Sequence, residues 1–357
     1  MQVKEITNTQ DSYGSTCLQL EISGKNVCYQ TLIAIRKASI NQIPIYAFHP
    51  DKINITRNSS VYDASELSCN LSQLPITNFN HQIKLLPLKY YKDVNFADPK
   101  MERHPSDIYQ INYSVKAKND GPDPILFVTT NDLTISITST STDKDKLISN
   151  ETIPPKEKYS EKYPIPLIKL RAGEEFECSM KGVLAIGELD GIFNASNTYW
   201  KQLADDKFLL SVESNGQLSE YEILIRSCEI IIEKLKLIKE NLDNNQYNMM
   251  QTSNNSLILE ILNEDHTCGS PLNWIIQNMK EVTFAGVNKP DFMQKIINSV
   301  IQCDSSVKAI DLVNKAIGPT IKIYEEYKEK FEELYKGSGK KNNKTENSQD
   351  KKSVKKQ

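Results

Sequence analysis

The stretch Glu264-Asp265-His266-Thr267-Cys268-Gly269-Ser270-Pro271-Leu272, with Val282-Thr283-Phe284-Ala285-Gly286-Val287 downstream, decides how this chain is read. Just before it, Leu257, Leu259 and Ile261 alternate with Ile258, Glu260 and Leu262, as in a strand buried largely on both faces. Ser270 followed by Pro271 suits a helix start: a serine hydroxyl accepts from an orphan amide, and proline lacks only an amide that the first turn leaves unpaired. Leu272, Ile275, Ile276 and Met279 then fall at i, i+3, i+4 and i+7, one apolar stripe. Residues 282–287 form the next strand, 288–291 are turn chemistry, 295–302 form another strand, and Asp304-Ser305 opens a long amphipathic stretch to 335. The order is β-α-β-β-α.

A fainter copy lies near the N-terminus. Leu18-Gln19-Leu20-Glu21-Ile22 alternates as a strand, and 27–42 carries apolar residues at helical spacing. Cys28 stands four before Leu32 as Cys268 stands four before Leu272, and both helices lead to a strand containing alanine, Ala47 and Ala285.

The Glu264–Thr267 tetrapeptide, the Phe284-Ala285-Gly286 motif and the terminal helix together resemble the eleventh subunit of RNA polymerase II and the archaeal L subunit. The runs 43–48, 53–55, 58–67 and 71–76, and then 208–242, resemble the third subunit, the archaeal D subunit and the bacterial alpha subunit. The chain departs from those relatives at Arg36-Lys37, which only approximates an arginine pair, and at Ser68-Cys69-Asn70-Leu71-Ser72, where relatives carry Ala-His-Arg-Leu-Gly. In 208–242, Ser219 with Glu222 fits a capping box before a helix with a broad apolar face.

The resemblance implies a fusion of the two subunits, a kind of protein found in large DNA viruses. The expected fold class is α+β: two alpha-subunit-like dimerisation modules forming an intramolecular pseudo-dimer, with an inserted mostly-β domain. The expected divisions are 1–76 with 206–242 for the first module, 77–205 for the insert, 243–256 for a linker, 257–335 for the second module and 336–357 for a disordered basic tail. In that scheme Ile225, Cys228, Ile232 and Leu235 meet Leu312, Ile317 and Tyr324 across the module interface, with the last helix interrupted at Gly318-Pro319. Arg36, Asp63, Glu66, Glu264, Asp265 and His266 are expected to contact partner subunits.

The function that the resemblance implies is architectural, a platform for two large catalytic subunits and a small tenth- or twelfth-subunit-like protein. Nucleic acid would be met only through the complex, in the host cytoplasm, with virion and nucleus left open. A 14-residue linker has a random-coil reach of about 20 Å, which makes pairing intramolecular if it spans the gap and favours module swapping if it does not.

Composition agrees with a chain of ordinary globular domains. It has 357 residues, 25% charged and 39% hydrophobic, and a net charge of −3, which argues against wrapping nucleic acid with its own surface. No apolar run approaches the ~18 residues of a membrane span, and the N-terminus lacks the basic-then-apolar pattern of a secretory signal, so neither membrane insertion nor export is expected. The tail from Lys336 holds eight lysines against Glu346 and Asp350. Seven cysteines never occur as Cys-x-x-Cys nor pair with histidine at zinc spacing, so no zinc or other cofactor is expected and catalytic magnesium would belong to the large subunits. No catalytic residues are expected in this chain. Two other readings remain: an adaptor reusing the same paired modules outside a polymerase, and an enzyme in 77–205 built on His81 and His104 near Asp93, Asp98 and Glu102.

Overall fold

The computed structural model describes residues 1–10, 16–77, 79, 81–92, 94–98, 101–140, 147–148, 164–244, 246–253, 255–291, 293–304 and 307–353. It is a mixed α+β structure with antiparallel sheets and five helices.

The chain opens with the hairpin β1 (Gln2–Gln10) and β2 (Thr16–Ser23), followed by α1 (Tyr29–Asn41). Leu18, Leu20 and Ile22 alternate onto the buried face of β2, as their period of two requires. A long excursion follows, with β3 (Ile45–Ala47), β4 (Ile53–Asn58), α2 (Ala64–Ser72), β5 (Tyr109–Lys118), β6 (Ile125–Thr129), β7 (Thr134–Thr140), β8 (Leu147–Ile148), β9 (Pro166–Arg171), β10 (Glu175–Lys181) and β11 (Val183–Ala185). Within it, β4-β10-β5-β7-β8 form one sheet, while β3-β11 and β6-β9 form two ribbons. Gly173, at φ +83°, makes the reversal between β9 and β10, a conformation that favours glycine. The chain then returns as the hairpin β12 (Ser196–Ala204) and β13 (Lys207–Ser214), and β13 pairs with β2. Helix α3 (Glu220–Asp243) follows.

The second half repeats this plan without the excursion. Hairpin β14 (Asn248–Ser253) and β15 (Ser256–Leu262) leads to α4 (His266–Gln277), hairpin β16 (Val282–Asn288) and β17 (Ile296–Cys303), and α5 (Ala309–Ser353). The two sheets have the same strand order, β1-β2-β13-β12 and β14-β15-β17-β16. Helix α1 lies over β12 as α4 lies over β16, and α3 covers β13 and β2 as α5 covers β17 and β15. The two helical layers face each other, α1 against α4 and α3 against α5.

Several expectations need correction. β3 pairs with β11 and β4 with β10, so 43–58 belongs to the excursion rather than to the first sheet, whereas β12, expected within the 77–205 insert, is an edge strand of that sheet. The counterpart of the Ala285 strand is therefore β12, not the Ala47 strand. Strand period is local, but strand partners are not, and here the true partner lies about 150 residues further on. The 243–256 segment is no free linker, because β14 occupies Asn248–Ser253 and pairs with β15. Helix α4 starts a turn earlier than Ser270, with Asp265 as its N-cap and Pro271 inside it. Gly318-Pro319 do not interrupt α5; both are exposed, and nothing lies within 4 Å of a side chain added at Gly318, so the proline ring stays off the packed face. The final helix starts at Ala309 rather than at 304–305; residues 305–306 lie outside the described set. The tail expected to be disordered from 336 carries helical backbone to Ser353, and 354–357, like the side chains beyond Gly337, lie outside the described residues.

The α3–α5 contact runs antiparallel: Tyr221 meets Tyr335 with ring centroids 5.8 Å apart, and Glu229 meets Lys328 at 2.8 Å, so numbers rise on one helix as they fall on the other. Continuing that register brings Ile232 level with Tyr324. Replacing Ile232 by aspartate puts an unpaired charge among these buried side chains and should cost about 3–5 kcal/mol. Urea unfolding of the full chain measures it; a loss under about 1 kcal/mol would mean that residue 232 does not face α5.

Candidate assembly interface

The interface between the halves is mainly apolar. Cys228, Leu235, Leu312, Ile317 and Tyr324 are buried, Ile232 nearly so, and Ile225 packs half-buried at the margin. The rings of Tyr324, Tyr327 and Phe331 form a file along α5, with successive centroids 6.2 and 6.0 Å apart and no exposed surface. Some of the polar groups that enter are paired across the halves, while the buried Tyr324 hydroxyl has no hydrogen-bond partner among the described residues. The Tyr327 hydroxyl lies 3.2 Å from Thr31 Oγ1 on α1. Since Thr31 already donates to the Cys28 carbonyl at 2.8 Å, the tyrosine is the donor. Glu229 of α3 accepts from Lys328 of α5 at 2.8 Å and from Lys84 of the excursion at 3.2 Å.

The Glu264–Thr267 motif sits at the other end of this interface. Asp265 Oδ1 accepts from the Thr267 amide at 2.7 Å and caps α4, while Oδ2 takes a hydrogen bond from Lys37 Nζ of α1, also 2.7 Å. Burial alone would raise the Asp265 carboxyl pKa, but Lys37 and Thr267 outweigh it and hold it well below the usual carboxylate range. Glu264 is buried and lies 3.4 Å from Lys234 of α3. Burial alone would lower the Lys234 ammonium pKa; Glu264, with Cys268, Asp265 and Glu188 behind it, more than reverses this and keeps Lys234 protonated. Glu188 of the excursion in turn pairs with Lys295, whose ammonium stands over the Tyr91 ring 5.8 Å away. Thus α1, α3, the motif and the excursion meet at one cluster of charges.

Glu264 and Asp265, expected at a partner surface, are therefore spent inside the chain. The tetrapeptide marks them as special but cannot say who pairs with them, because both cations come from more than 25 residues away. Lys37 stands out in the sequence only as half of the Arg36-Lys37 pair, and Lys234 is not among the expected site residues; a lone lysine on an apolar helix face is the signal that marks it. His266 is exposed and its Nδ1 lies 3.4 Å from Ser270 Oγ. Arg36 is half-buried on α1, with Nε enclosed and unpaired. Asp63 and Glu66 are exposed on α2; Asp63 Oδ2 accepts from the Ser65 amide at 2.9 Å, which lowers its carboxyl pKa.

The histidines of the excursion are structurally engaged. Buried His81 has Nε2 2.8 Å from the Pro44 carbonyl and Nδ1 accepting the Ile83 amide at 3.2 Å, so both nitrogens of the neutral ring are committed. Burial first, and Arg226 next, push its pKa down to about 4. His104 Nδ1 accepts from the Ser106 amide at 3.1 Å, against the Tyr90 ring. Residue 93 lies outside the described set. Among the described residues, no three His, Cys, Asp or Glu side chains group as a metal site, and no helix is long and apolar enough to cross a membrane.

Residues 256–330 match the family of the RNA polymerase Rpb3/Rpb11 dimerisation domain. A putative DNA-directed RNA polymerase subunit of Acanthamoeba polyphaga mimivirus is 25% identical over 323 residues, 87% of this chain and 88% of that protein. Along most of its length this chain is similar to a viral RNA polymerase subunit. Over shorter spans it is 32% identical to the probable RNA polymerases I and III subunit RPAC2 of Caenorhabditis elegans, over 23% of this chain and 58% of that protein. It is 29% identical to the RNA polymerase subunit Rpo3 of Methanocaldococcus jannaschii, over 22% of this chain and 41% of that protein. Apart from the viral relative, the chain spans less than two thirds of these relatives.

Two expectations follow from the charge cluster. Lys234→Met leaves Glu264 buried without its cation and should cost about 3–5 kcal/mol, most of which returns in the double variant with Glu264→Gln; a double-mutant cycle by urea unfolding reads the coupling, and additive losses would mean that the two do not interact. Asp265 has a folded pKa below its unfolded value of about 3.9. Its stabilisation is therefore complete above that value and disappears as pH falls through the folded one. Asp265→Asn should flatten the acid limb of a stability profile between pH 5 and 2, and an unchanged limb would contradict the Lys37 pair.

Proposed function

We infer that this chain is a non-catalytic assembly subunit of a multisubunit DNA-directed RNA polymerase. The observation that carries this is the duplicated β-β-α-β-β-α plan, one copy of which matches a polymerase dimerisation domain, in a chain that aligns almost end to end with a viral polymerase subunit. The two copies act as an intramolecular pseudo-dimer: 1–41 with 196–243 as the first module, 43–195 inserted into it, and 248–335 as the second. Only residues 244–247 separate α3 from β14, so closure of the pair is a first-order event.

In this reading the paired modules form the platform on which two large catalytic subunits assemble, with a small tenth- or twelfth-subunit-like protein beside them. The chain needs no cofactor, the large subunits hold the catalytic magnesium, and the site of action is the host cytoplasm. Exposed Asp63 and Glu66 on α2, together with His266, are the contact residues left outward once Glu264 and Asp265 are used internally.

Affinity purification from the native source at moderate salt tests this. Two large subunits and template-dependent RNA synthesis in the eluate are the expected result, and a chain recovered without them would favour the adaptor. Glu66→Lys should weaken recovery of the large subunits several-fold and leave the melting temperature of the isolated chain within about 2 °C. Undiminished recovery would remove α2 from the contact surface.

A further inference from the structure

We propose that the free edge of β6 is a docking site for an acidic, extended segment of a partner polypeptide, which adds to the β6-β9 ribbon as a third strand. β6 pairs with β9 alone, so its other edge has no ladder among the described residues. The strand nonetheless reads Ile-Leu-Phe-Val-Thr, and Ile125 and Phe127 are 48% and 56% exposed. An apolar strand with one edge open is a template for pairing with another chain.

The charges beside that edge select the occupant. The register sets Ile125 opposite Arg171 and Phe127 opposite Lys169, so these four side chains share the outer face of the ribbon, while Val128, Ile168 and Leu170 are buried on the other. Lys169 Nζ stands over the Phe127 ring, 5.2 Å from its centroid, which carries the ammonium from β9 across β6 towards the open edge. Lys169 and Arg171 are exposed, and neither has an ion pair among the described residues. The carboxylates that flank the ribbon in sequence are turned to backbone instead: Glu174 accepts the Arg171 amide and Asp132 the Thr129 amide, each at 2.7 Å.

A strand added to β6 puts alternate side chains on the outer face, beside the two cations, and the others next to half-buried Leu126. Carboxylates alternating with apolar residues meet both surroundings. A second copy of this chain does not, because pairing two β6 edges would set the cations of one copy against those of the other. The chain's own segment 149–163 carries three lysines and three glutamates, so it brings no net negative charge. The inference stands whether or not the chain serves a polymerase.

The test uses the purified full chain and fluorescein-labelled octapeptide amides: one alternating glutamate with valine, one alternating lysine with valine, and one with the same glutamates and valines in two blocks. Anisotropy at low salt should rise saturably with the alternating glutamate peptide, weaken several-fold with the block peptide and stay flat with the lysine peptide. Amides within 125–129 should exchange hydrogen more slowly when the alternating glutamate peptide is bound. The double variant Lys169→Glu with Arg171→Glu, at exposed positions, should bind that peptide about tenfold or more weakly and take up the lysine peptide instead, a gain that only a folded ribbon can show. The proposal is overturned by the absence of saturation, by the block or lysine peptide binding as well as the alternating glutamate peptide, by binding without protection at 125–129, or by a double variant whose preference is unchanged.

Discussion

The antiparallel contact of α3 with α5 leaves neither helix an alternative partner. Each turns one side to its own sheet and a second side to the other helix, and the file Tyr324, Tyr327, Phe331 fills the space between. Burying each such side chain contributes about 1.5–3 kcal/mol, so a half of this molecule on its own would expose a surface too apolar to stay in water. The consequence is that the two halves act as one structural unit. The charge cluster at Glu264, Asp265, Lys37 and Lys234 then fixes orientation, since a rotated arrangement would strand buried charges without partners.

This explains how the excursion can be carried without loss of the paired plan. It leaves the first half after α1 and returns as β12, so both of its ends are held by elements already packed. It is tied back at Glu188–Lys295 and at Lys84–Glu229, each a contact with an element of the pair. A segment anchored in this way presents its outer surfaces, including α2, in a fixed relation to the paired helices. A fixed relation between separate surfaces is what an assembly platform requires.

Much of this was legible in sequence. The Ser219–Glu222 capping box is formed, with Ser219 Oγ near the Glu222 amide and the Glu222 carboxylate accepting the Ser219 amide at 3.0 Å, because capping depends on residues three apart. The alternations at Leu18–Ile22 and Leu257–Ile261 gave strands, and the apolar face of 219–242 gave a helix that needs another helix. What was misread shares one cause. Asp265 caps α4 rather than Ser270, and its second carboxylate oxygen is held by Lys37, distant in sequence. Asn248–Ser253 reads as linker because it has little apolar content of its own, and it is a strand only because β15 offers it an edge.

Local elements, apolar faces and the likeness to polymerase dimerisation domains are legible in the chain before it folds, because all depend on residues within a few turns of one another. That β12 rather than β3 is the edge strand beside β13, that Glu264 and Asp265 face inward, and that Gln30 and Asn273 line one groove between α1 and α4 is settled only once the chain is closed. These depend on which surfaces meet, and that is set by the total burial and charge pairing of the closed chain rather than by any segment within it.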